Sequence, residues 1–180
     1  GAQYFPVLRA TGMSRARPFH PAVAIAFGGL AAGSLDILYA MGFWWLKAGV
    51  GPLRILQSVA AGALGRASFD GGAASATLGL VLHFAIATAM AAAYVLAARP
   101  VPLLLRRPWL CGAAYGLFLY AAMNLVVVPL SAAGAQPRDP LWVACSIIAH
   151  MLLVGVPIAL FARLASAGST EPVRVEIHGS

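Results

Sequence analysis

Charge is what this sequence most lacks. Only 9% of its 180 residues are charged, and just five are acidic. A soluble domain carries about a quarter charged residues, so a water-facing surface is excluded. The hydrophobic share of 61% and mean hydropathy of +0.85 point instead to an integral membrane protein. The formal net charge of +7 raises nucleic acid as a partner, but no basic run interleaved with aromatics is present to make such a surface. The arginines sit singly or in pairs at the ends of apolar runs, where they meet lipid headgroups. Cysteine is scarce too. Cys111 and Cys145 lie near opposite ends of their runs, and a helical rise of about 1.5 Å per residue puts them beyond disulfide reach. Both read as small apolar residues. No internal repeat is present.

What is present is four apolar runs of membrane-spanning length, Ala24–Leu46, Ser75–Ala97, Trp109–Ser131 and Leu141–Arg163, a crossing taking about 20 residues. Their apolar content is continuous rather than alternating, so an all-α fold is expected over barrel strands. The connections 99–108 and 132–140 are short and favour an up-down four-helix bundle. The expected organisation is an N-terminal cytoplasmic segment at 1–21, a four-helix transmembrane domain at 22–165 and a polar cytoplasmic tail at 166–180. Met13-Ser14-Arg15 resembles a natural start, so residues 1–12 read as an upstream extension or cloning remnant. The first run is too long for a signal-peptide core and is read as retained.

Cations orient the spans. With both termini on one side, that side holds Arg9, Arg15, Arg17, Arg99, Arg106, Arg107, Arg163 and Arg174, against Lys47, Arg54, Arg66 and Arg138 on the other. The excess favours cytoplasmic termini. Trp44, Trp45, Trp109 and Trp142 suit interfacial belts. The first outer loop, "GPLRILQSVAAGALGRASFDGG" (51–72), opens with a first-turn proline and continues in helical composition. It predicts a short interfacial or re-entrant helix between spans one and two; a plain cap over the helix ends is the alternative. Gly29 with Gly33, and Gly112 with Gly116, are small-xxx-small patterns that predict close helix contact. Pro129 and Pro157 predict kinks in spans three and four. His20 and His178 fall outside the spans and are expected in solvent.

Each span carries one strongly polar residue at depth: Asp36, His83, Asn124 and His150. Counted from the expected outer ends, all four lie about 10–15 Å below that boundary. Each also shares a helix face with small residues, the faces by which membrane helices meet. The four are therefore expected to form one inward polar layer, with Tyr39 and Tyr120 as hydrogen-bonding supports. Such a layer has several readings. An intramembrane ionisable residue is a functional candidate by default, and a His–Asp pair can pass protons near neutral pH. Asp36, His83 and His150 are also a donor set for zinc or non-haem iron, though no local ligand motif accompanies them. His83 and His150 are alternatively axial ligands of a b-type haem, with Arg54 or Arg66 meeting its propionates. In the bland reading, the four merely hydrogen-bond one another and fix helix register, a return of under about 1 kcal/mol per contact that makes Asp a poor choice.

Taken together, His83 in the second span, "VVPL" (127–130) late in the third and "IAHMLLVGVP" (148–157) in the fourth resemble the YagU type of small bacterial inner-membrane protein. The resemblance covers about 22–163 and implies an inner-membrane location and a link to acid stress, with no established chemistry. The stretch "ILQSVAAGALG" (55–65) departs from that group. The leading expectation is a non-enzymatic membrane protein whose polar layer handles protons, ions or a bound cofactor. An accessory subunit of a larger membrane complex, with the layer serving packing alone, is the alternative. A metal-dependent membrane enzyme is the least favoured. The lipid bilayer is the expected partner, with homo-oligomerisation compatible with the Ala- and Gly-rich surfaces and no role for nucleic acid.

Overall fold

The structure, a computed structural model, describes residues 20–134 and 139–166, and within them it is helical with no strand. The expected terminal segments lie almost wholly outside the described residues, as do Arg138 and His178. Four helices are long and apolar enough to cross a membrane: α1 (Pro21–Ala48), α3 (Gly72–Ala97), α5 (Pro108–Leu130) and α6 (Pro140–Ser166). Two shorter ones join them, α2 (Pro52–Leu64) and the single turn α4 (Leu103–Arg106). A 3-10 segment, Gly65–Asp70, connects α2 to α3.

The helix ends follow from local sequence. α1, α2, α5 and α6 each open with a proline, whose fixed φ suits the first turn and whose missing N–H is not needed there. His20 caps α1 through its Nδ1, which accepts from the Ala22 N–H at 3.3 Å. Asp139 caps α6, its Oδ1 accepting from the Trp142 N–H at 2.9 Å. α1 ends at Gly49, in the left-handed region at φ 63°, with its N–H bonded to the Trp45 carbonyl and that of Val50 to Trp44. This pairing satisfies carbonyls that the helix end would otherwise orphan.

The long helices pack in the spatial order α3, α1, α6, α5. Residue numbers rise along one partner and fall along the next: Gly29 and Gly33 of α1 meet Thr88 and Phe84 of α3, while Gly112 and Gly116 of α5 meet Val156 and His150 of α6. At the end away from α2 the packing is dense, with Ala24, Ala91, Tyr94, Ile158, Ala159 and Ala162 almost fully buried. Among the described residues α3 and α5 hardly pack on each other. Tyr115 of α5 ties them, donating its hydroxyl to the Met90 carbonyl at 2.8 Å and setting its ring 5.0 Å from that of Tyr94.

The two mid-span prolines act as wider turns. Before Pro129 and Pro157 the helices loosen to π geometry over Met123–Val127 and His150–Gly155. The Val128 and Val156 N–H groups bond five residues back, to Met123 and Met151. A proline ring crowds the carbonyl four residues earlier, and one wide turn relieves it.

Glycine governs how closely the elements approach. A Cβ on Gly79 would stand 1.9 Å from the Leu56 carbonyl oxygen of α2, and one on Gly116 2.1 Å from that of His150. Gly42 has nothing within 4 Å of such an atom. Gly79→Ala and Gly116→Ala should therefore each lower stability by about 1–3 kcal/mol through overpacking, with Gly42→Ala near neutral. Thermal unfolding of the three variants in detergent checks this ranking.

Candidate functional site

Where α3 and α5 part, the structure holds a cavity of about 800 Å³. Its walls include Gly33 and Asp36 of α1, His83 and Met90 of α3, Asn124 and Val127 of α5, and His150 and Val154 of α6. One face of α2 borders it, through Arg54, Ile55, Ser58, Val59 and Gly62, spaced as neighbours on a helix. α2 is held there from both sides. Gln57, 2% exposed, donates its Nε2 to the Gly72 carbonyl at 3.1 Å and toward Ser75 Oγ at 3.5 Å. On the other side the Ala132 N–H donates to the Gly62 carbonyl at 3.0 Å.

All four polar residues expected at depth border this one cavity. Their direct contacts are narrower than a single layer would require. Asp36 Oδ1 lies 3.8 Å from His150 Nδ1, and the two side chains are 23% and 17% exposed. His83 reaches the backbone instead, its Nε2 lying 2.8 Å from the Gly33 carbonyl oxygen. Asn124 donates Nδ2 to the Tyr120 carbonyl at 3.0 Å. A carbonyl only accepts, so His83 carries its proton on Nε2. By the same argument His150 carries one on Nδ1, which sits 2.9 Å from the Ser146 carbonyl oxygen. Nitrogen-15 spectra of histidine-labelled protein at alkaline pH should show these two opposite neutral tautomers, and a common tautomer for both would contradict the geometry.

The tyrosines play different parts from those expected. The Tyr39 hydroxyl meets Ser146 Oγ at 3.3 Å rather than a member of the polar layer. Its ring stacks on Trp142 with centroids 5.5 Å apart. Tyr120 places its ring edge-on to His150 at 5.4 Å. No bonding role was read for Ser146 from the sequence, yet it is 1% exposed and meets Tyr39. Its spacing of four from His150 places it on that residue's helix face. Trp45 and Trp109 are exposed at 60% and 65%. Trp44 and Trp142, in contrast, line the cavity, and their rings lie 5.4 Å apart. The aromatic seam between α1 and α6 draws them inward.

The donor geometry bears on the cofactor readings. Among the described residues no three His, Cys, Asp or Glu side chains stand close enough to hold a metal ion. Asp36 Oδ1 approaches His150 Nδ1 at 3.8 Å, but His150 commits Nδ1 to the Ser146 carbonyl as His83 commits Nε2 to that of Gly33. An axial haem ligand would have to break that bond or bind through Nδ1. Cys111 and Cys145 are both free thiols.

Beside the cavity, Lys47 of α1 forms an ion pair with Asp139 at the start of α6. The ammonium also lies 5.6 Å from the Phe43 ring centroid. The Asp139 carboxyl is held below its ordinary value, first by the bond from Lys47 and then by that from the Trp142 N–H. A carboxylate whose pKa is lower folded than unfolded stabilises the fold above the unfolded value and ceases to as pH falls through the folded one. Asp139→Asn should therefore be less stable than wild type at neutral pH, with the difference closing in acid below the ordinary carboxylate range. Melting temperatures across that window test it. The effect will be small, because both side chains are about one-third exposed.

Comparison with family models, curated proteins and solved structures finds no match to this chain.

Proposed function

We propose that the protein is an up-down four-helix bundle of a bacterial inner membrane, with both termini cytoplasmic, that handles protons or a small solute through the cavity beneath α2. In this reading α2 lies at the outer interface and Asp36 with His150 is the proton-passing pair. One observation carries it: Asp36, His83, Asn124 and His150, from four different spans, border the same cavity, and Asp36 stands 3.8 Å from His150. A carboxylate kept at such a depth is expensive and is retained for what it does. An imidazole with two ring nitrogens, one able to donate while the other accepts, is a natural partner for passing a proton. The wide turn that begins at His150 supports the same reading, because π turns are frequent where helices carry function. The resemblance at 127–130 and 148–157 agrees with the proposed location and with a role under acid stress.

A packing role alone keeps one supporting observation. His83 reaches across to a backbone carbonyl of α1, as a register-fixing residue would. The two readings separate in liposomes. Wild-type protein reconstituted with an interior pH dye should pass protons down an imposed gradient. Asp36→Asn should cut that flux about a hundredfold, the lower end of what a positioned acid–base group contributes. Unchanged flux in a folded Asp36→Asn protein would sink the transport reading and leave the packing one.

A further inference from the structure

The cavity is much larger than protons need. A water molecule takes about 30 Å³ of liquid volume, whereas about 800 Å³ falls among sites for small organic molecules. The distribution of its lining is uneven. α2 and the segment after it contribute Arg54 and Arg66, while the only carboxylate among the lining residues is Asp36, which already has His150 beside it. Among the described residues neither arginine forms an ion pair with a carboxylate, whereas Lys47 is taken up by Asp139. Arg54 is held in place by stacking, its guanidinium carbon 4.4 Å from the Phe69 ring centroid, and Phe69 borders the cavity too. Between the cationic roof and the polar floor the walls are apolar, with Ile86 and Met90 from α3 facing Met123, Val127 and Val128 from α5. Methionine walls adapt their shape to a flexible chain.

From this arrangement we infer that the cavity binds an amphiphilic anion, a single apolar chain ending in a carboxylate or phosphate. The head group sits against Arg54 and Arg66, whose planar forks match either anion. The chain lies along the α3 and α5 walls, entering where those two helices do not pack. A cationic ligand would meet the arginines first, and a fully apolar one would leave them unused. The inference rests on the cavity being the working site, as proposed above, and adds the class of molecule it takes.

The test uses the purified full chain in nanodiscs of zwitterionic phosphatidylcholine. The probes are 11-bromoundecanoate and 11-bromoundecyl phosphate, whose bromine quenches nearby tryptophan. Trp44 and Trp142 line the cavity and report its occupancy. Both anions should quench at concentrations about tenfold below those needed for bromoundecanol or bromoundecyltrimethylammonium, the scale of one charge-assisted hydrogen bond. Arg54→Gln with Arg66→Gln should raise the anion midpoint about tenfold and leave that of the alcohol in place. Both arginines are exposed, so these changes spare the packed helices. A Trp44→Phe, Trp142→Phe protein should lose the saturable quenching. Equal quenching by the cation or the alcohol would overturn the inference, as would indifference to the arginine changes or persistence without the two tryptophans. Displacement of the probes by phosphatidylglycerol in the disc would identify a membrane lipid as the source of the anion, and no displacement a free amphiphile. Asp36→Asn keeps the arginines, so loss of flux in that variant with intact anion binding separates the two proposals. Unchanged flux there sinks the transport reading alone, and failed anion selectivity sinks this one alone.

Discussion

Backbone meets backbone where α5 crosses α6, and the placement of the His150 side chain follows from that contact. A Cβ on Gly112 would stand 2.8 Å from the Gly155 carbonyl oxygen, and one on Gly155 2.0 Å from that of Gly112. Only helices bare of side chains on these faces can come so close. The wide turn at His150–Gly155 brings the His150 carbonyl up against Gly116. The same turn sets the His150 ring beside Asp36 and edge-on to Tyr120. Packing and site are thus one arrangement. The proline that loosens α6 also positions its ionisable side chain.

The counterpart lies on the other side of the molecule. α2 nests against α3 because Gly79 leaves room for the Leu56 carbonyl. That approach, fastened by Gln57 and Ser75, keeps α2 across the gap between α3 and α5. Tight contact at one end and a roofed space at the other follow from where small residues are placed. Tyr115 bridges α3 and α5 at the packed end through the Met90 carbonyl. A bulkier Gly79 would push the roof away and open the cavity without touching any of its polar residues.

Much of this was readable from the chain. The apolar runs located all four long helices within a few residues of their observed ends, because length and hydropathy are local properties. Pro52 marked the start of α2 in the same way. The depth count placed Asp36, His83, Asn124 and His150 together, and all four border one cavity. Their bonds were not readable. Whether His83 finds a neighbour's side chain or the Gly33 carbonyl depends on how α1 and α3 rotate against each other, and no local pattern encodes that rotation. Tyr39 likewise finds Ser146 only because α1 and α6 are adjacent.

Local sequence alone settles that four helices of membrane length form, where prolines begin or loosen them, and which faces are small enough to meet. Those properties belong to single segments and to the solvation of their side chains. The packing of the helices on one another sets α3 and α5 apart, lays α2 over the space between them and turns Trp44 and Trp142 inward to line it. A cavity is defined by what several segments fail to fill together. That depends on the relative placement of helices, which no single stretch of chain carries.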